Sequence, residues 1–166
     1  RQPGPWTDDA PAEDLGAVFL DSDSDGDLDL FVVSGSLENK DQPELLADRL
    51  YINRGAEGFV RAPQDAVGST PVSGSCVCAA DFDRDGDLDL FVGGRTQPGR
   101  FPEAPPSALL RNDDGRFLDV TASVAPALLE AGMVTGATWA DHDGDGWPDL
   151  IVAAQWQPAR ILTNDS

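Results

Sequence analysis

The sequence predicts an all-β chain built from one unit of four short strands, repeated three times. Three observations predict it. First, the segments DSDSDGDLDLFVV, DFDRDGDLDLFVG and DHDGDGWPDLIVA align without gaps from Asp21, Asp81 and Asp141, so their starts lie 60 residues apart both times. Second, each is preceded by a small-and-apolar run (GAVFL, CVCAA, GATWA) and passes into another (LFVV, LFVG, LIVA). Runs this short, rich in Val and Phe and bounded by Asp and Gly, form strands. Third, a further run recurs as DRLYINRG (Asp48 to Gly55), SALLRNDDG (Ser107 to Gly115) and ARILTNDS (Ala159 to Ser166), each closing on Asn and polar or Gly residues as a hairpin turn does.

The elements follow in that order within one repeat domain, 1–166, with units at 11–63, 72–121 and 132–166. The first strand of each unit runs into the Asp-rich loop, and the loop runs into the second strand. Polar, proline-containing insertions then follow in the first two units, SLENKDQPELLADR (Ser36 to Arg49) and RTQPGRFPEAPPSA (Arg95 to Ala108), of the surface kind that carries binding determinants in repeat proteins. A fourth strand opens on an aromatic residue in GFVRAP from Gly58 and in GRFLDVT from Gly115. The third unit has no such segment after it. The match of GPWTDDA (Gly4 to Ala10) to GRFLDVT in Gly, aromatic and Asp makes residues 4–10 the expected fourth strand of that unit, within the chain or in a neighbouring one. Short helical turns are expected at Pro43 to Leu50 and Ala125 to Ala131, as connectors.

Charge narrows the partners. With 30 acidic against 11 basic residues and a net charge of −19, the chain is unsuited to nucleic acid or an anionic membrane, and cations are its natural partners. Apolar residues make up 40% and fall in short runs, so the acidity does not imply disorder. No run approaches a transmembrane span, so membrane insertion is not expected. Cys76 and Cys78 would point to one face of a strand, where a mutual disulfide is strained; two small buried thiols are expected.

The loops carry the chemistry. Calcium takes six to eight hard oxygen ligands, and a flexible loop supplies them from alternate residues. Positions 1, 3, 5 and 9 are Asp21, Asp23, Asp25 and Asp29 in the first loop, Asp81, Asp83, Asp85 and Asp89 in the second, and Asp141, Asp143, Asp145 and Asp149 in the third. Backbone carbonyls of Asp27, Asp87 and Trp147 supply position 7, where the side chains of Asp27 and Asp87 are expected to point outward. Gly26, Gly86 and Gly146 at position 6 permit the bend. Three calcium ions are therefore expected. Magnesium demands a tighter octahedron, and zinc would need Cys or several His. Position 12 is Val32, Val92 or Val152 at the head of a strand, where an EF-hand would carry Glu on a helix.

An Asp-rich loop of this form flanked by strands, once per unit, resembles the FG-GAP/VCBS repeats of the integrin α-subunit β-propeller and of many bacterial secreted proteins. The Phe-Gly and Gly-Ala-Pro elements of that family survive only in part, as Gly58-Phe59 with Ala62-Pro63 and as Gly16-Ala17 or Gly136-Ala137. The resemblance implies β-propeller-type four-stranded blades with calcium loops at one rim. Three blades leave a fragment of a longer propeller, an open arc, or a homodimer forming a six-bladed ring. It also implies an extracellular, cell-surface or periplasmic scaffold for recognition, adhesion or assembly, with a protein or glycan ligand and no enzymatic activity. The alternative is a glycan-binding module or part of a secreted carbohydrate-active enzyme.

Little in the residues supports catalysis. His142 is the only histidine and stands at position 2 of the third loop, where the other loops have Ser22 and Phe82, so an outward loop residue is expected. No nucleophile elbow or phosphate-binding Gly loop is present. Asp113, Asp114 and Asp119 are the remaining acid/base candidates, and turn and surface roles fit them better. Trp139, Trp147 and Trp156 fall around the third unit, with Trp6 as a further member. Trp139 aligns with Phe19 and Ala79 and is expected in a core, whereas Trp147 and Trp156 are candidates for a sugar-stacking or protein-binding patch.

Overall fold

The computed structural model of the chain describes residues 4–38, 41–68 and 72–165. Each repeat folds into one antiparallel sheet whose strands follow chain order. The first sheet is β1 (Asp14–Leu20), β2 (Asp29–Ser34), β3 (Arg49–Asn53) and β4 (Phe59–Arg61). The second is β5 (Ser73–Ala80), β6 (Asp89–Thr96), β7 (Ala108–Asp113) and β8 (Arg116–Asp119). The third has β9 (Val134–Ala140), β10 (Asp149–Ala154) and β11 (Arg160–Leu162). Register is the same in all three, with Leu20, Ala80 and Ala140 paired to Asp29, Asp89 and Asp149, so every Asp-rich loop closes the first hairpin of its sheet.

The second strands read as continuous apolar runs because both of their faces are covered. Phe31 and Val33 of β2 point towards the second sheet and meet Leu90 and Val92 of β6, Leu110 of β7 and Phe117 of β8 in one core. Phe91 and Leu109 point the other way and meet Val134, Leu150 and Val152 of the third sheet in another. Each fully buried apolar side chain of this size contributes roughly 1.5 to 3 kcal/mol, so these two layers hold the sheets together. The first strands converge, β1 against β5 and β5 against β9. Gly74 makes one approach possible, since a Cβ there would lie 2.3 Å from Val33 Cγ1. Contacts run from sheet to sheet in chain order, and no closed ring of sheets is formed among the described residues.

The N-terminal segment corrects one expectation. Pro5–Thr7 form a 3-10 turn, and the segment lies on the first sheet. Trp6 meets the rings of Tyr51 (6.0 Å) and Phe59 (5.6 Å) edge-on, Tyr51 donates to Asp9 Oδ2 at 2.6 Å, and Arg61 pairs with Asp9. Pro5 has no N–H for a sheet ladder and fixes a turn-compatible φ, and the aromatic partners of Trp6 sit on the first sheet. The third sheet therefore keeps three strands among the described residues, with β11 at its outer edge.

The connectors agree in kind with expectation, as 3-10 turns at Pro43–Leu46 and Pro126–Glu130, the latter after a short helix, α1 (Thr121–Val124). Asn39 and Lys40 of the first insertion lie outside the described residues. β6 extends through Arg95 and Thr96, which the sequence suggested were already loop. Cys76 and Cys78 are free, half-buried and packed against the second core. Burial raises both thiols, Cys78 to about 12, which leaves them unreactive. Among the described residues, no helix is long and apolar enough to cross a membrane.

Candidate metal centres

Each loop is a cage of backbone N–H groups around carboxylates, built the same way three times. The carboxylate at position 1 accepts from the N–H of the glycine at position 6, at 3.0, 3.2 and 3.0 Å in the three loops. The carboxylate at position 5 accepts from the N–H at position 7, at 2.9, 3.0 and 2.8 Å. The glycines at position 6 have φ of 90°, 104° and 90°, and that left-handed bend folds the loop back over its own carboxylates. As a result, carboxylate oxygens of positions 1, 3 and 5 lie within 4.8 Å of one another in every loop: Asp21, Asp23 and Asp25; Asp81, Asp83 and Asp85; Asp141, Asp143 and Asp145.

Position 9 does something the sequence did not announce. Asp29, Asp89 and Asp149 are fully buried. One oxygen of each accepts from the N–H at position 2, at 3.1 Å (Ser22), 3.0 Å (Phe82) and 2.9 Å (His142). The other accepts from the N–H of an asparagine at or just past the end of the third strand, at 2.7 Å (Asn53), 2.8 Å (Asn112) and 2.9 Å (Asn164). The buried carboxylate thus fastens loop to sheet. These asparagines are visible in the sequence as the residues closing the third run, yet their spacing reads there only as turns.

The asparagines also tie each unit to the one before it. Asn112 Nδ2 donates to Ser22 O of the first loop at 2.9 Å, and Asn164 Nδ2 to Phe82 O of the second at 2.8 Å. Position 4 reaches forward as well. Ser24 and Arg84 adopt positive φ (57° and 60°), which turns their side chains out of their own loops. Ser24 Oγ donates to Asp87 Oδ1 at 3.2 Å, so Asp87 joins two loops instead of simply facing outward. Arg84 donates to Gly146 O and lies 4.1 Å above the Trp147 ring.

Three oxygens decide whether a cation fits. Asp21 Oδ1, Asp23 Oδ1 and Asp81 Oδ1 are buried and have no hydrogen-bond donor. Buried carboxylate oxygens without a partner are costly, and all three stand at positions 1 and 3, where the carboxylates converge. Burial, followed by neighbouring carboxylates, pushes Asp23 and Asp83 above the usual range. The donor set is hard oxygen throughout, apart from His142, whose Nδ1 lies 2.6 Å from Asp149 Oδ2. His142, Asp143 and Asp149 form a further close group in the third loop.

The tryptophans do not form one patch. Trp139 packs on the second core with its Nε1 donating to Cys78 O at 3.4 Å, Trp147 lies under Arg84, Trp6 is on the first sheet, and Trp156 meets Phe101. Their nearness in sequence was a misleading signal, because adjacent loops of one sheet open at opposite ends. Asp119 Oδ1 accepts from Thr121 N at 2.9 Å and caps a turn.

The model of the FG-GAP-like repeat matches residues 21–92 and 101–152, a span that takes in all three loops. The chain belongs to the FG-GAP-like repeat family. Cartilage acidic protein 1 of Mus musculus is 32% identical over 158 residues, which is 94% of this chain and 23% of the mouse protein. The FG-GAP-like chain therefore spans about a quarter of that relative's length.

Proposed function

We propose that this chain is a calcium-stabilised, non-enzymatic scaffold for recognition, adhesion or assembly outside the cell, with one ion in each of its three Asp-rich loops. The observation that carries the reading is the set of buried, donorless oxygens of Asp21, Asp23 and Asp81. A cation there satisfies them and relieves the repulsion among the carboxylates of positions 1, 3 and 5. Those residues would hold the ion together with the carbonyls of Asp27, Asp87 and Trp147, while Asp29, Asp89 and Asp149 brace the loop. What the ion supplies is positive charge. The fit to calcium comes from the all-oxygen donor set and the flexible loop.

An extracellular setting is supported by the acidic surface, by loops open enough to suit the millimolar calcium outside cells, and by a similar protein named for cartilage. A homodimeric ring would need the face of the first sheet on which the N-terminal segment lies. Dimer formation therefore requires that segment to move, and sedimentation velocity on the calcium-loaded chain reads which state is present.

Calorimetric titration of the calcium-depleted chain should give three sites, and Asp81→Asn should remove one. A site filled at one hundred times its Kd adds about 2.7 kcal/mol to stability, so chelation should lower the melting temperature visibly. Unfolding that is indifferent to both calcium and chelator would remove the basis of the reading.

A further inference from the structure

The rim opposite the Asp-rich loops carries a second feature, built from the two connections that follow β6 and β10. Phe101 and Trp156, from the second and third sheets, meet edge-to-face with centroids 6.1 Å apart. Both are left in solvent, Phe101 58% exposed and Trp156 72% exposed. An aromatic pair on a surface gains little by staying exposed, so its position calls for another explanation. Trp156 also holds φ of 61°, a conformation rare for a bulky side chain.

The corner is held in place before any ligand arrives. The loop carrying Phe101 bonds to itself through Gln97 N to Glu103 O (3.0 Å), Arg100 N to Gln97 O (3.0 Å) and Glu103 N to Arg100 O (2.8 Å). Next to Trp156, Gln155 N donates to Met133 O at 2.8 Å. A preordered surface loses little freedom on binding.

Phe101 borders a depression of about 350 Å³ whose lining includes Glu13, Glu38, Arg95 and Gln155. Arg95 is half-buried and, among the described residues of a strongly acidic chain, has no ion-pair partner. The depression thus offers planar acceptors from Glu13 and Glu38, planar donors from Arg95, and an amide that does both.

We propose that this corner binds a neutral oligosaccharide, one pyranose ring lying against Trp156 and Phe101 and its hydroxyls meeting the polar groups beside them. Charge decides among occupants. A polyanion meets Glu13 and Glu38 within an acidic surface, and a basic side chain pairs with the glutamates but offers no acceptor to Arg95. A sugar hydroxyl donates and accepts at once, so it uses both kinds of group, while the apolar C–H face of the ring covers the aromatic corner. None of these residues belongs to the Asp-rich loops, so the site stands whether or not those loops hold calcium.

The test is titration of the intact chain, in calcium buffer, with neutral hexose, pentose and N-acetylhexosamine oligosaccharides, following the indole resonances of its four tryptophans. Saturable binding that shifts the Trp156 indole and weakens at least tenfold in both Trp156→Ala and Arg95→Ala, but not in Trp147→Ala, is the expected result. Because Trp156 is mostly exposed, its variant should fold, which circular dichroism checks. The proposal is overturned if no neutral oligosaccharide moves that resonance, if binding survives Trp156→Ala, or if uronate oligomers or a lysine- and arginine-rich peptide occupy the corner instead.

Discussion

The second and third loops share every carboxylate at positions 1, 3, 5 and 9, yet their buried aspartates have opposite acidities. Burial pushes Asp89 up to about 7, whereas the neighbouring His142 holds Asp149 down at about 2. Position 2 makes the difference. In the second loop it is Phe82, 7% exposed and sealed into the core beneath the third sheet; in the third it is His142, on which no further sheet stacks among the described residues. A repeat's electrostatics are therefore set as much by what is stacked on it as by its own sequence.

The largest expected effect comes from the position that separates them. Phe82→Ala opens a cavity between the second and third sheets and should cost about 3 to 5 kcal/mol in urea unfolding, as large-to-small changes in packed cores do. His142→Ala should cost less than Phe82→Ala, since its side chain is exposed and its backbone N–H still reaches Asp149. Equal costs would mean that stacking does not distinguish the two loops.

Next comes pH, measured in chelator. Asp89 has a folded-state pKa of about 7, above the ordinary 3.8, so the folded chain holds that proton the more tightly. Its contribution to stability is complete below pH 3.8 and is lost as pH rises to about 7. Asp149 behaves oppositely: its contribution is present above pH 3.8 and is lost as pH falls through about 2. Asp89→Asn should flatten the decline between pH 4 and 7, at a cost of roughly 1 to 3 kcal/mol for the acceptor it loses. Asp149→Asn should leave that decline intact.

These contrasts also show what the sequence could and could not disclose. The three sheets were legible because Asp and Gly recur every 60 residues and the flanking runs have strand length. The clustering of positions 1, 3 and 5 was legible for the same reason. Position 9 was readable as a carboxylate but not as a brace, because its second partner, Asn53, Asn112 or Asn164, lies 15 to 24 residues further on and becomes a partner only through strand pairing. The segment Gly4 to Ala10 misled because a Gly, aromatic, Asp pattern says nothing about which sheet offers the aromatic ring a partner. Links between loops were hidden too, since position 4 is Ser24, Arg84 and Gly144, three residues with no common side chain.

Arg84 offers the finest test of how far the second loop reaches into the third. Its guanidinium stacks 4.1 Å above Trp147 and donates to Gly146 O, and both partners belong to the neighbouring loop. At an exposed site such a contact is worth about 0.5 to 1 kcal/mol. A double-mutant cycle of Arg84→Ala with Trp147→Ala should return a coupling of that size, because each single change removes the same contact. Arg84→Lys separates the causes: lysine keeps the charge and lacks the planar fork, so if stacking and the directed hydrogen bond matter, it should behave like alanine. A lysine variant equal to the parent would assign the link to charge alone and make it fade in high salt. Zero coupling would leave the asparagine bonds of the following unit as the connection between these loops, since Asn164 reaches Phe82 O without involving Arg84.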